Sequence, residues 1–115
     1  YVGALVVPNF DAFIRLFDEQ GLAYDKQALV FMEEGGVRTC VKVGQDFIDR
    51  PELRAIIEEE ISKANAELED YERIKKYRIL TRKLTVESGE ITPTMKIKRN
   101  EVTRNFKAEI DGLYE

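Results

Sequence analysis

One lysine near the C-terminus, Lys96, lies in a segment whose residue types restrict the backbone. Pro93 fixes its own φ and biases Thr92 toward extended geometry, so we expect no helix before Lys96. Asn100 then offers an N-cap for a C-terminal helix. A stiff loop can direct an ammonium group at an anion such as a phosphate. From the residues alone, a directed cation at position 96 is one interpretation, and an ordinary exposed lysine is the simpler one.

The composition excludes several classes of active site. The chain of 115 residues has no histidine and a single cysteine, Cys40. It therefore lacks the side chains for a histidine-containing triad, a Cys–His dyad or a tetrahedral zinc site, and we predict no metal site. Cys40 cannot form an internal disulfide, and we interpret it as a packed small hydrophobe. This use of cysteine is typical of the reducing cytoplasm.

The net charge of −4 hides an uneven distribution of charge. From Arg73 to Lys107 there are eleven Lys and Arg against three Glu, whereas the other residues carry seven basic and nineteen acidic groups. This cationic block can attract the phosphates of nucleotides or nucleic acids, or the acidic surface of a partner. For most of these side chains, a solvated face is the simpler interpretation.

The first half of the chain predicts a strand, a helix and a hairpin. Tyr1–Val7 is apolar on both faces, which indicates an interior strand. Asn9 can cap the following helix, Gly21 can end it, and its apolar positions are Phe10, Phe13, Ile14 and Phe17. Glycines between two apolar segments, Ala28–Met32 and Val37–Val43, indicate a hairpin. A short helix over residues 25–34 is the alternative.

The second half predicts the longest helix, another strand and a terminal helix. Pro51 suits a first helical turn, and one apolar stripe follows it at Leu53, Ile56, Ile57, Ile61, Ala64 and Leu68. Residues 74–80 indicate a strand and Ser88-Gly89 a turn. The buried face of the terminal helix is predicted to comprise Val102, Phe106, Ile110 and Leu113. Neither Ala4–Val7 nor the slightly longer apolar run Ala28–Met32 is long enough for a bilayer span, and we expect no export signal.

These elements predict an α+β fold in which a small few-stranded sheet packs with two or three helices. Residues 1–115 form a single domain in this interpretation, because a chain of this length can build one modest core.

Four segments, in this order, resemble the C-terminal portion of the AMP-forming acyl-CoA synthetases, in their long-chain fatty-acid branch: Tyr1–Asn9, Pro51–Ile61, Tyr71–Leu80 and Gly89–Arg99. The last resembles the final core motif of these adenylate-forming ligases, with Met95 where many relatives have glycine. Residues 21–47 match no motif, and no function is carried over to them.

The resemblance implies that the chain is part of the mobile C-terminal domain of a larger ligase whose N-terminal adenylation domain is absent. In such a domain Tyr1 enters partway, so the strand that begins there lacks one neighbour. An unpaired apolar edge can pair with another chain. We therefore expect self-association through that edge or a disordered N-terminal boundary.

The resemblance also implies an activity. The full-length enzyme would use ATP, Mg²⁺ and coenzyme A to convert a fatty acid to an acyl-adenylate and then to a thioester. Lys96 would be the adenylation lysine, entering the active site of the N-terminal domain. Lys98 and Arg99 would give electrostatic support or contact that domain, whereas Thr92 and Thr94 would bind phosphate or shape the loop. We expect the isolated chain to bind none of these cofactors and to be inactive, and the enzyme to be cytoplasmic or peripheral at a membrane.

Two other functions remain open from the residues alone. A protein-interaction module would use the cationic block to dock on an acidic partner. A small nucleic-acid-binding domain would combine the same cations with an aromatic side chain, but Tyr77 is the one aromatic among them and the overall charge is acidic. We therefore expect no nucleic-acid partner.

Overall fold

A computed structural model describes residues 2–113 of the chain. The described elements comprise four strands and five α-helices. In chain order they are β1 (Val2–Val6), α1 (Phe10–Gln20), β2 (Val30–Glu34), β3 (Val37–Lys42), α2 (Gln45–Ile48), α3 (Pro51–Ala66), β4 (Ile74–Ile79), α4 (Arg99–Asn105) and α5 (Lys107–Leu113). Tyr1, where the first strand and a disordered boundary were predicted to begin, lies outside the described residues.

Helix α1 begins and ends where the sequence predicts. The side chain of Asn9 accepts a hydrogen bond from the Ala12 N–H at 3.2 Å and so caps the helix. Gly21 ends it with a φ of 67°, in the left-handed region that favours glycine. The apolar stripe between these caps turns Phe10, Phe13 and Phe17 into the core, which confirms the predicted buried face.

The strands form two two-stranded sheets. β1 pairs in parallel with β4, and β2 pairs antiparallel with β3. Residues 81–83 link the sheets, because the Val43 N–H donates to Thr81 O and the Lys83 N–H donates to Val41 O, both at 2.8 Å. Within residues 2–113, β4 is the only strand paired with β1, and residues 3–6 of β1 are half-buried. The prediction of a fully interior strand is therefore wrong for the described part of the chain.

The β2–β3 hairpin confirms the prediction from the glycines. Gly35 and Gly36 form its two-residue turn with φ values of 57° and 81°, a turn type that requires positive φ at both positions. The alternative helix over residues 25–34 is wrong, although one 3₁₀ turn occupies Lys26–Ala28.

The hydrophobic core lies between α1, β3 and the first half of α3. Its aromatic centre contains Phe10, Phe17 and Phe47, with ring centroids of Phe17 and Phe47 4.8 Å apart. Cys40 is fully buried there, which confirms its interpretation as a packed hydrophobe, and burial raises the pKa of its thiol. On α3, Leu53 and Ile57 are buried whereas Ile56 is 37% exposed, so the predicted stripe is only partly covered.

The C-terminal helical region is interrupted at Phe106. Its φ of −116° and ψ of 29° separate α4 from α5, although hydrogen bonds from Phe106 N–H to Val102 O and from Ile110 N–H to Phe106 O continue across the junction. Phe106 and Leu113 are buried, as predicted for this face. The α+β class is confirmed, with two small sheets and more helices than the two or three expected.

Candidate functional site

Residues 91–97 form a short hairpin that carries Lys96. Ile91 and Ile97 face each other as an antiparallel bridge. The Thr92 N–H donates to the carbonyl of Lys96 at 2.8 Å, and the Lys96 N–H donates to the Thr92 hydroxyl at 3.0 Å. The backbone of Lys96 is therefore held from both sides by Thr92.

The tip of this hairpin is a tight turn. Pro93 and Thr94 occupy the turn, and the Met95 N–H closes it by donating to Thr92 O at 2.8 Å. The hydroxyls of Thr92 and Thr94 lie 3.0 Å apart. Met95 has a φ of 66°, in the left-handed region that favours glycine. Both threonines thus contribute to the shape of the loop.

The side chain of Lys96 is exposed. No ion pair or side-chain hydrogen bond engages its ammonium group among residues 2–113. Lys98 and Arg99 are also exposed, and no hydrogen bond joins their side chains to Lys96 within the described part. Lys98 is the N-cap residue of α4, which begins at Arg99, so the prediction that Asn100 caps this helix is wrong.

A buried carboxylate, Glu90, lies at the root of the hairpin. It forms a bidentate pair with Arg82, in which the two guanidinium nitrogens donate to the two carboxylate oxygens at 2.7 Å each. The Ser88 hydroxyl donates to Oε1 at 2.7 Å and the Asn105 amide donates to Oε2 at 3.0 Å. The Glu90 side chain is 0% exposed, so both carboxylate oxygens accept hydrogen bonds from protein groups and neither contacts solvent.

The environment of Glu90 keeps it ionised. The hydrogen bonds from Arg82 lower the pKa of Glu90 from 4.5 to about 2, with further lowering from Ser88 and Asn105, although burial alone would raise it. Arg82 in turn has a raised pKa because of Glu90, and its guanidinium lies 4.5 Å from the ring centroid of Phe106.

Sequence analysis missed this pair. It assigned most charges of the cationic block to a solvated face, and no local pattern distinguishes Glu90 or Arg82 from exposed neighbours. The one available signal is the position of Glu90 between Gly89 and Ile91, directly before the proline-containing motif.

Two concave surfaces adjoin the hairpin and β4. A groove of about 730 Å³ beside β4 is lined by six cations, namely Lys42, Arg54, Lys75, Lys76, Arg78 and Arg82, together with Glu109. A cleft of about 480 Å³ beside the hairpin is mostly apolar and includes Met32, Val41, Leu84, Val86, Ile91 and Met95. The cationic block is therefore divided between a groove and a hairpin. Tyr77, the aromatic residue of the nucleic-acid alternative, is half-buried against the core and also lines the groove.

The described residues do not fit a bound Mg²⁺ ion. Residues 2–113 contain no group of three or more Cys, Asp or Glu side chains arranged to hold a metal, and the buried carboxylate at the root of the hairpin, Glu90, is occupied by Arg82. In the same part of the chain, no helix is long and apolar enough to cross a bilayer.

Comparison with known proteins identifies the family to which the chain belongs. Residues 28–115 match the family described as the AMP-binding enzyme C-terminal domain. The chain belongs to this family. The resemblance seen in the sequence motifs is thereby confirmed, and the hairpin with Lys96 lies within the matched part of this AMP-binding enzyme C-terminal domain.

The relatives of this AMP-binding enzyme C-terminal domain are fatty-acid ligases. The chain is 32% identical over 111 residues to the long-chain-fatty-acid–CoA ligase FadD15 of Mycobacterium tuberculosis, covering 96% of this chain and 18% of the relative. It is 28% identical over 116 residues to long chain acyl-CoA synthetase 8 of Arabidopsis thaliana, covering 99% and 14%. A match of 40% over 47 residues to ACSBG2 of Mus musculus covers 41% and 7%. The chain thus spans less than a fifth of these relatives. No solved structure matches it.

Proposed function

We propose that the chain is the C-terminal domain of a long-chain fatty-acid CoA ligase. The whole enzyme activates a fatty acid with ATP to an acyl-adenylate and transfers the acyl group to coenzyme A. The observation that carries this proposal is the match of nearly the whole chain to relatives with that name. In this proposal residues 1–115 are one mobile domain, its partner is the N-terminal adenylation domain of the same protein, and the enzyme is cytoplasmic, with peripheral membrane contact as an option.

Lys96 supplies the cation for adenylation in this proposal. When a fatty carboxylate attacks the α-phosphorus of ATP, two anionic groups approach and negative charge builds on the phosphoryl and bridging oxygens. A directed ammonium group lowers that barrier. The exposure of Lys96, the lack of an ion-pair partner among the described residues and its backbone bonds to Thr92 support this role. Lys98 and Arg99 give electrostatic support, and Thr92 and Thr94 shape the loop.

The surface around the hairpin suits contact with the N-terminal domain. Met95, which lines the apolar cleft, is 73% exposed. Ile97, which pairs with Ile91 across the hairpin, is 63% exposed. Exposed apolar groups that cluster in this way are typical of docking surfaces. We propose that this face meets the N-terminal domain when Lys96 enters the active site.

Substitution of Lys96 in the full-length enzyme tests the proposal. We expect Lys96→Ala to lower the rate of acyl-adenylate formation by about a hundredfold or more, because one electrostatic stabiliser of the transition state is lost. Thioester formation from preformed acyl-adenylate should keep its rate. The two half-reactions can be measured separately by pyrophosphate release and by consumption of the coenzyme A thiol.

Lys63→Ala is the matched control, because Lys63 is also exposed but pairs with Glu59 and Glu60 on α3. It should leave both half-reactions unchanged. Equal loss of both half-reactions in Lys96→Ala would refute the assigned role of Lys96. Absence of any ligase activity in the wild-type enzyme, with fatty acids of several lengths, would refute the proposed function itself.

A further inference from the structure

We propose that the pair formed by half-buried Arg82 and buried Glu90, with Ser88 and Asn105, positions the hairpin that carries Lys96. Glu90 and Arg82 act through Lys96 in this proposal and do not touch the substrate, so they are positioning residues. The proposal rests on the function proposed for Lys96 and adds the contacts that hold the Lys96 hairpin in position.

The backbone of Glu90 holds the hairpin at its root. The Lys98 N–H donates to the Glu90 carbonyl at 2.7 Å, two residues beyond Lys96. On the other strand, the N–H groups of Glu90 and Ile91 both donate to Thr85 O, at 3.2 and 3.3 Å. Both strands of the hairpin thus converge on Glu90, and the direction in which the hairpin projects depends on how Glu90 is held.

The side chain of Glu90 connects this root to separate parts of the fold. Arg82 lies three residues after β4, Ser88 belongs to the turn before the hairpin, and Asn105 is the last residue of α4. The bidentate contact with Arg82 restricts both the distance and the orientation of the carboxylate plane. The stacking of Arg82 on Phe106 also attaches the pair to the junction of α4 and α5.

Beyond its root, the hairpin has little burial of its own. Ile91 and Thr92 are half-buried, whereas residues 93–100 are all exposed. An exposed segment with few buried contacts takes its position from the elements that anchor it. Displacement of a catalytic group by about 1 Å can lower a rate by roughly a hundredfold. The anchor at Glu90 therefore controls the position on which the chemistry of Lys96 depends.

Glu90→Gln is the direct test, because it keeps the volume of the side chain and removes the charge. An amide can accept with its oxygen only, so its nitrogen would face a donor of Arg82. In the full-length enzyme we expect acyl-adenylate formation to fall by about ten- to a hundredfold. Thioester formation from preformed acyl-adenylate should remain at the wild-type rate. Hydrogen exchange of the amides of Lys96 and Lys98 should become faster.

Asp49→Asn is the matched control. The Asp49–Arg54 ion pair has the same N–O distance, 2.7 Å, as the Arg82–Glu90 pair. Its two side chains are about half-exposed, and it joins the end of α2 to α3. This variant should change neither half-reaction nor the exchange of the hairpin amides.

A double variant separates positioning from stability. Arg82→Met with Glu90→Met replaces both charges by apolar groups, a change that often preserves or raises stability. We expect the melting temperature to recover relative to Glu90→Gln, whereas acyl-adenylate formation stays low because no bidentate contact orients the root. If both recover together, Glu90 has only a structural role and the proposal is wrong.

The remaining outcomes distinguish this proposal from the proposed function. If Lys96→Ala abolishes adenylation but Glu90→Gln leaves both the adenylation rate and amide exchange unchanged, the positioning role fails and the function stands. Equal loss of both half-reactions in Glu90→Gln also overturns positioning. If Lys96→Ala has no effect, the function of Lys96 fails, and so does the proposal that depends on it.

Discussion

Met95 has an unusual backbone conformation directly before the lysine that we assign to adenylation. Its φ of 66° is disfavoured for a residue with a Cβ, yet its side chain is 73% exposed and gains little from burial. Gly89, at the other end of the motif, has a φ of 80°. Both positions require a positive φ, which Gly89 adopts without strain and Met95 does not.

We expect Met95→Gly to raise the free energy of unfolding by about 0.5–1 kcal/mol, because relief of the left-handed strain exceeds the extra chain entropy of glycine. Gly89→Ala should lower it by about 1 kcal/mol or more, because alanine at this φ is strained. A Cβ at Gly89 would meet only ordinary contacts with Glu101, at 3.8 Å or more, so sterics do not confound the comparison. Urea unfolding measures both changes. A destabilised Met95→Gly variant would contradict this account.

At the scale of elements, the Glu90–Arg82 pair joins the end of β4, the turn before the hairpin and the end of α4. Its members are separated by eight residues, and Asn105 lies fifteen residues from Glu90. Removing one partner of a buried pair leaves an uncompensated charge, which is strongly destabilising. The pair therefore couples the stability of these elements to the ionisation of one carboxylate.

This coupling predicts an acid-sensitive stability. The pKa of Glu90 is about 2 in the folded protein against an ordinary value of 4.5. Because the folded pKa is lowered, the stabilisation is fully present above pH 4.5 and is lost as the pH falls toward about 2. The free energy of unfolding of the wild type should therefore fall more steeply across this window than that of Glu90→Gln. Parallel curves for the two proteins in urea unfolding at several pH values would contradict the lowered pKa.

At the scale of the whole molecule, the hydrophobic core and the hairpin occupy different regions. The core is built by α1, β3 and α3, whereas Lys96 lies on an exposed hairpin anchored through β4 and α4. In the proposed function, this separation lets the hairpin meet the N-terminal domain without disturbing the core. The same architecture leaves β1 with one strand partner in the described part of the chain.

The pairing of β1 with a single strand among residues 2–113 predicts self-association of the 115-residue chain. An unpaired apolar strand edge is a template for pairing with a second copy. We expect the mass measured by light scattering to rise with protein concentration. Leu5→Lys should shift the equilibrium toward the monomer, since a charged side chain on an edge strand opposes pairing. A strictly monomeric wild type at high concentration would contradict this prediction.

The sequence by itself determined most of the local turns and helix ends, because short-range physics decides them. The start of α4 is an exception, since its N-cap is Lys98 and not Asn100. The cap at Asn9, the stop at Gly21 and the first helical turn at Pro51 depend on backbone conformations and hydrogen bonds within a few residues. The turn of Gly35 and Gly36 follows from the same local constraints. The motif around Lys96 likewise indicated a stiff loop before the structure placed it on a hairpin.

Only the tertiary structure decided which charges are buried and where helices break. Glu90 is buried because Arg82, Ser88 and Asn105 converge on it from separate elements, a condition that no local pattern encodes. The junction at Phe106 likewise accompanies the stacking of Arg82 on its ring. Burial of a charge depends on partners distant in sequence, since an unpaired carboxylate would be too costly to remove from water. The device that holds the Lys96 hairpin could therefore be recognised only in the folded chain.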